Sequence, residues 1–599
     1  MQSSRPIYLQ IAVVLLGIVI VVKLFTMQVS GHVDGGTHRA FTQYPYRGLM
    51  FDRHGELLVT NEPQYDLMVV PYQVSSLDTA ILESVLGLNK AEIEARLKKA
   101  QGYNRTKPSV FFEKLSNEEY AKLQGHLVHL PGFYGQARTV RSYPHNLLAN
   151  VLGYTGEIDQ AGLAAYSAER YYKSGDYIGR SGLEREYEHE LRGQRGVKYM
   201  QVNPQGVVVG PYREGRLDTL ARPGQDLVTT IDLELQKYAE YLMGGKVGSV
   251  VAIEPATGEI LAMVSSPTYD PNALTGRAFS TNFRTIASDS LKLLFTRPTQ
   301  ATYPPGSIFK IIQALVALEE KVVTPKERIY VEGNLIGDHA PPGFYDMNRG
   351  IILSSNNYFY KVFRRIILQK NTGNQFEDSR YGFSRWRDYV SNFGLGDRLG
   401  IDLPSEGSGG IPTLSFYDNV YGKGRWRFSN IYSLSIGQGE MLMTPLQMAN
   451  VAAIMANRGH YYIPHLVKEI GDTGLPRPEY LVRQETGIDS AFYPPVIEGM
   501  AGVVNGTARL AAIQDIHVVG KTGTAENPHG YDHSVFMAFA PKENPQIAIA
   551  VYVENAGWGG LAAAGTASLL IEKYINGDIS RRRQWIEDYL MEQRYLLSL

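Results

Sequence analysis

The stretch Pro304-Pro305-Gly306-Ser307-Ile308-Phe309-Lys310-Ile311-Ile312-Gln313-Ala314-Leu315 decides how the rest of this chain is read. Two prolines and a glycine halt whatever precedes them and can open a helix. The run beyond is apolar on nearly every face, through Phe309, Ile311, Ile312, Ala314, Leu315, Val316 and Leu318. A helix apolar all round is a buried helix. Yet this one carries Ser307 and Lys310, one turn apart on a single face. Ser307 falls in the first turn, where free N–H groups and the positive dipole end favour developing negative charge. A lysine in such a helix loses hydration, and its pKa falls by up to ~3–5 units on full burial. An amine neutral near pH 7 can take a proton from a serine hydroxyl and make it a nucleophile. The plainer alternative is a cap serine followed by a lysine that snorkels to water. About two Ser-x-x-Lys matches arise by chance in a chain of this size, so the tetrad needs support from elsewhere.

At 599 residues the chain has room for several domains and at least one large core. A net charge of −1 gives no argument for a nucleic-acid partner. The absence of cysteine excludes disulfides, thiolate nucleophiles and cysteine-ligated metals. From Ile7 to Met27 the chain is almost purely aliphatic, with Lys23 its one charge. About twenty such residues span a bilayer. A cleaved signal peptide would have a shorter apolar core and a small-x-small site, of which Val29-Ser30-Gly31 is a poor version. The expectation is a single uncleaved helix over 7–27 behind a short cytoplasmic tail, residues 1–6. Arg5 favours a cytoplasmic N-terminus, with everything after Met27 outside.

Downstream, Asp52 to Gly55 reads as a turn, and Tyr65 to Val70 alternates as a strand does. Asn89 to Gln101 and Ser116 to Leu127 read as amphipathic helices, each opened by a capping box with Glu92 or Glu119. Gly179-Arg180-Ser181-Gly182-Leu183-Glu184 reads as a polar loop leading into a charged helix. Pro204 to Pro223 suggests strands and turns, and Asp232 to Leu242 a helix. Ser249 to Ile253 and Glu259 to Ser265 read as a hairpin that opens a second domain. Thr444-Pro445-Leu446-Gln447 is a strong helix start. The tail places Trp585, Ile586, Tyr589 and Leu590 at helical spacing, which suits packing on the domain better than contact with lipid headgroups.

Two further stretches resemble sites when set beside Ser307 and Lys310. Ser354-Ser355-Asn356-Asn357 opens a helical run, and alone reads as a cap serine with turn asparagines. Val518-Val519-Gly520-Lys521-Thr522-Gly523-Thr524 is a short strand, and alone reads as an edge guarded by lysine. Lys-Thr-Gly arises by chance about a tenth of a time per chain. A glycine in mid-strand admits another backbone or a ligand, and Lys521 with Thr524 beside it suits a carboxylate.

Ser-x-x-Lys, Ser-x-Asn and Lys-Thr-Gly in that order resemble the motif set of penicillin-binding proteins and class A β-lactamases. The stretches Arg47 to Arg53, Gly179 to Glu184 and Gly437 to Pro445 resemble class B penicillin-binding proteins, as does the single anchor. Ser354 to Tyr360 and Gly396 to Pro404 are more similar to the elongation type, the penicillin-binding protein 2 group, than to the septal type. The resemblance implies a multidomain α+β chain. Its parts would be one N-terminal transmembrane helix, an elongated mixed pedestal domain over 28–226, and a transpeptidase domain over 227–599. In the latter a central antiparallel sheet is flanked by helices.

The resemblance also implies an activity, a D,D-transpeptidase that crosslinks peptidoglycan and binds β-lactams covalently. Ser307 would be the nucleophile and Lys310 its base. Ser354 would relay a proton to the leaving amine, in the field of Lys521. Asn356 would bind the peptide amide, and Thr522, Gly523 and Thr524 would line the carboxylate subsite. The N–H groups of Ser307 and Thr524 would form the oxyanion hole. No cofactor is implied. Some elongation-type members hold zinc near the second motif through a cysteine; this chain has none, so no metal is assigned, although His339 and Asp346 lie nearby. Implied partners are peptidoglycan stem peptides, a SEDS-type glycosyltransferase such as RodA and an MreC-type scaffold, with no nucleic acid. The implied location is the inner or plasma membrane, with the catalytic domain extracytoplasmic. The alternatives are a septal transpeptidase and a membrane-anchored β-lactam sensor or β-lactamase.

Overall fold

In the computed structural model, which describes residues 5–29, 38–74, 77–169, 171–202, 208–333, 335–527 and 530–593, the chain passes repeatedly between two compact units. The smaller comprises Met1–Tyr46, Pro63–Thr139 and Gly193–Pro223; the larger comprises Arg47–Glu62, Val140–Arg192 and Gly224–Leu599.

In the smaller unit, strand His38–Gln43 pairs antiparallel with Gly196–Val202, which pairs in turn with Val208–Pro211. Residues 203–207 of the expected strand-and-turn segment lie outside the described residues. Residues 65–69 pair antiparallel with Ser109–Leu115. Helices Lys90–Tyr103 and Asn117–Gln124 bury Ile93, Ala100 and Leu123 in one small core with Leu67, Val69 and Phe111. Both helices start at the expected caps, Asn89 and Ser116, each with a reciprocal bond from its third-position glutamate. The N-terminal apolar run forms helix Arg5–Val29. Its side chains at 10–23 are exposed, and the others of the expected anchor lie mostly outside the described residues. Among the described residues no helix is long and apolar enough to cross a membrane.

In the larger unit, helix α1 (Leu233–Leu242) starts at Asp232, whose carboxylate accepts from Leu235 N. The predicted hairpin follows as β1 (Gly248–Ile253) and β2 (Ile260–Ser266). The helical segment that comes next includes α2 (Lys310–Glu319), α3 (Asn356–Ile367), α4 (Pro445–Asn457) and α5 (Tyr493–Asn505). The chain then returns to the sheet as β3 (Val519–Ala525), β4 (His533–Ala540) and β5 (Ile547–Val553). It closes with α6 (Ala562–Asn576) and α7 (Gln584–Glu592). The five strands form one antiparallel sheet in the order β2-β1-β5-β4-β3. Every residue of β1, β2 and β5 is buried. Their continuous apolar runs follow from that, because neither face meets water and no alternation is called for. Helices α4 and α6 both pack on the central strands. The α4 cap is the predicted one, Thr444 with Pro445 behind it and Gln447 bonding back.

The charged helix read after residue 179 is present as Gly182–Glu186, and Glu184 within it is buried. It receives Arg47 Nε at 2.5 Å and Arg141 Nε at 2.7 Å, and Arg47 also reaches Glu188 at 2.6 Å. A buried carboxylate is tolerable only when cations of this kind neutralise it. Burial alone would raise the Glu184 carboxyl, but Arg141 and Arg47 outweigh it and hold the group below its usual range.

The C-terminal helix α7 packs on α6 and buries Ile586 and Leu590, while Trp585 points outward. Replacing Leu590 by alanine is expected to cost ~2–4 kcal/mol through the cavity it leaves, lowering the thermal unfolding midpoint by a few degrees. A midpoint equal to that of the parent chain in a scanning calorimeter contradicts this packing.

Candidate active site

Ser307 does not begin the α-helix. Gly306–Phe309 forms one tighter 3-10 turn, and α2 proper starts at Lys310. Gly306 has φ +55°, donates its N–H to Gly437 O at 2.9 Å, and would place a Cβ 2.9 Å from Thr524 O. The turn is thus wedged between residue 437 and β3, at a position only glycine fills without strain. All of α2 from Lys310 to Leu318 is buried, as the apolar pattern predicts. The polar Gln313 within it is satisfied, accepting from Trp386 Nε1 at 2.8 Å and donating to Leu434 O at 3.1 Å.

The second motif sits at the start of α3. The cap is Ser355, whose hydroxyl accepts from Tyr358 N. Capping by the second serine leaves the first one's hydroxyl for other work. Ser354 itself adopts φ +54°, a left-handed conformation that costs a non-glycine residue about 1–2 kcal/mol. Its N–H bonds Ile351 O at 3.1 Å, and Ser355 N bonds Gly350 O at 3.0 Å.

The third motif lies on β3, the edge strand, but the lysine there does not guard an edge. Lys521 is fully buried and donates to Ser354 Oγ at 2.8 Å and Thr522 O at 2.9 Å. The edge is covered by the turn at 305–309: a Cβ on Gly523 would lie 3.2 Å from both Ile308 Cγ2 and Pro305 O. Gly559 packs on Gly523 too, its Cβ position only 2.1 Å from Gly523 O. Thr522 Oγ1 lies 3.5 Å from Thr507 Oγ1, and Thr524 is partly exposed.

These elements bring the three motifs together. Lys310 Nζ donates to Asn356 Oδ1 at 2.5 Å and Ser354 O at 2.6 Å, and lies 3.4 Å from Ser354 Oγ. Burial lowers its pKa from the ordinary lysine range to about 7, opposed by the negative charge of Asp338. Burial also pushes Lys521 far below its ordinary value, and the neighbouring charge of Lys310 adds to that. The expected direct bond from Lys310 to Ser307 is not formed among the described residues; the amine is turned toward the second motif. The count of partners is informative. Three acceptors surround Nζ, which suits the ammonium; once one proton is lost, two N–H groups keep the short bonds to Ser354 O and Asn356 Oδ1 and a lone pair is free to accept a proton. Catalytic contacts of this kind commonly tighten only once substrate is bound.

Sequence reasoning missed Asp338, Thr507 and Gly559. None belongs to a periodic element, so spacing carried no signal for them. His339 faces Trp558 with ring centroids 6.1 Å apart, and Asp346 caps helix Met347–Ile352 by accepting from Arg349 N. Among the described residues no group of three His, Cys, Asp or Glu side chains is placed to hold a metal ion.

Comparison with known proteins identifies the family. The penicillin-binding protein transpeptidase domain family matches residues 248–572, and the penicillin-binding protein dimerisation domain family matches residues 42–229. The peptidoglycan D,D-transpeptidase MrdA of Haemophilus influenzae is 31% identical, over 89% of this chain and 84% of its own length. A solved complex of PBP2 with MreC from Helicobacter pylori superposes with a TM-score of 0.73 at 25% identity, covering 90% of this chain and all of that one. A chain from a structure described as "Structural coordination of polymerization and crosslinking by a peptidoglycan synthase complex" superposes with a TM-score of 0.72 at 25% identity, covering 96% and 99%. The chain belongs to the penicillin-binding transpeptidases. The resemblance read from its motifs, including the elongation type, is borne out.

A pH dependence follows from the Lys310 amine. Only its neutral form accepts a proton, so the reactive fraction grows as pH rises through about 7. Covalent labelling by a fluorescent penicillin is expected to accelerate with pH and level off above a midpoint near neutrality. A rate flat from pH 5 to 9 contradicts this assignment.

Proposed function

We propose that this chain is an elongation-type peptidoglycan D,D-transpeptidase that works through an acyl-serine at Ser307. The observation that carries the reading is the convergence of two buried lysines on the Ser354 hydroxyl, beside the turn that holds Ser307. Lys310, as the free amine, takes the proton of Ser307 while Oγ attacks the penultimate D-alanine carbonyl of a stem peptide. The oxyanion is held by the N–H groups of Ser307 and Thr524, each such donor typically worth ~3–4 kcal/mol of barrier. The C–N bond breaks, and the departing D-alanine amine takes up a proton delivered through Ser354. Lys521 keeps that hydroxyl oriented. Asn356 holds the peptide amide, and Thr522 and Thr524 hold the terminal carboxylate against Gly523. An acceptor amine then attacks the ester, restores the Ser307 hydroxyl and leaves a crosslink. A β-lactam enters by the same route and stays as the acyl-enzyme.

The same reading includes an anchor. The apolar residues 7–27 cross the membrane once, and the rest of the chain stands outside it at the inner or plasma membrane. Two neighbours suggest company for it: one is a PBP2 solved with MreC, the other belongs to a peptidoglycan synthase complex. A scaffold of the MreC type and a SEDS-type glycosyltransferase are accordingly the proposed partners, through residues 28–226.

Two variants test the chemistry. Ser307→Ala is expected to abolish labelling by fluorescent penicillin and release of D-alanine from a stem-peptide donor. Lys310→Ala is expected to slow both by ~10²–10⁴. Persistent covalent labelling of Ser307→Ala removes the nucleophile from the scheme, and a wild-type rate in Lys310→Ala removes the base.

A further inference from the structure

We propose that Asp338 is a positioning residue for this reaction, a carboxylate that holds the Ser354–Asn356 motif in place beside the Lys310 amine. The inference rests on the transpeptidase reading above and adds to it a residue outside the three motifs. Asp338 lies in the segment between residue 335 and strand Gly343–Tyr345. Its Oδ2 accepts from Ser355 Oγ at 2.7 Å and from Asn357 N at 2.8 Å, and its Oδ1 accepts from Ala340 N at 3.0 Å. The segment bonds back at two more points. Asn356 Nδ2 donates to Gly337 O at 2.5 Å, and Ile336 N donates to Asn357 Oδ1 at 2.9 Å. Every residue from 355 to 357 is therefore tied to this one segment, and Asp338 makes two of the ties.

The placement matters because of what precedes and follows it. Ser354 stands in a left-handed conformation that persists only where the surroundings over-determine it. Ser355 is both the cap of α3 and the residue whose hydroxyl Asp338 holds. Asn356, next in line, is a partner of the Lys310 amine. Among the described residues no lysine, arginine or histidine forms an ion pair with Asp338, so its charge is not spent on a cation of its own. The charge that bears on Lys310 is that of Asp338, from this segment, while Lys310 in turn bears on the buried Lys521 of β3. The Phe359 ring of α3, with its centroid 5.9 Å from Nζ, lies on a further side. Asp338 favours the ammonium form, and burial opposes it.

The sign of the effect follows. Removing the negative charge lowers the Lys310 pKa further, so the free amine persists to lower pH. Asp338→Asn keeps an acceptor and drops the charge, whereas Asp338→Ala drops both. Acylation by fluorescent penicillin would be followed from pH 5 to 9 in the full chain, with thermal unfolding recorded for each variant. In Asp338→Asn the midpoint of the acid limb is expected to move about half a unit to one unit lower. In Asp338→Ala the plateau rate is expected to fall about tenfold or more. An unmoved midpoint in Asp338→Asn overturns the proposal, as does a parental plateau in Asp338→Ala. A residue that merely supports the loop would lower the rate at every pH and leave the midpoint alone. If Asp338→Ala does not fold, the Asp338→Asn midpoint decides by itself. Ser307→Ala run alongside separates the two levels: covalent labelling there sinks the transpeptidase reading itself, whatever Asp338 does.

Discussion

Lys310 and Lys521 are both withdrawn from water, and the charge of Lys310 makes that of Lys521 more costly. Ser354 Oγ lies 2.8 Å from one amine and 3.4 Å from the other. Burial disfavours the ammonium form of both groups, and for Lys521 repulsion from Lys310 acts in the same direction. An amine that has given up its proton is a base. Much of the surrounding fold is what keeps the pocket dry. Helix α2 is apolar on every side, β3 is covered along its edge by the 305–309 turn, and α3 delivers its first residues between the two.

The contacts that assemble the pocket are largely contacts between backbones. Gly306 against Thr524 and Gly559 against Gly523 leave no room for a side chain. These approaches limit how far β3 stands from the turn that carries Ser307. Elsewhere in the larger unit the logic is reversed. Arg47, Arg141, Glu184 and Glu188 form a buried ion cluster that ties segments far apart in sequence, and it works only because every charge has a partner.

Much of this was legible in the residues. The capping boxes at Asn89, Ser116 and Thr444 fall where the pattern places them, since a cap is a local matter of one side chain and three N–H groups. The buried hairpin strands β1 and β2 and the largely apolar α2 read correctly because burial on every side leaves a nearly unbroken apolar run. What spacing could not give was depth and direction. Glu184 looks solvated until two arginines from distant segments are found beside it. Lys310 and Ser307 share a face at helical spacing, yet a 3-10 turn and the pull of Ser354 O and Asn356 Oδ1 turn the amine elsewhere. Asp338 acts through folded proximity alone, and no local pattern marks such a residue.

The left-handed backbone at Ser354 has a consequence for how this enzyme is constrained. Glycine would occupy that torsional well at ease, so the position taken alone would be sturdier without its side chain. The fold keeps a hydroxyl there nonetheless, against its own conformational preference. At this single residue backbone ease and the hydroxyl that both buried lysines approach pull in opposite directions, so a gain in robustness there would cost the pocket its central polar group.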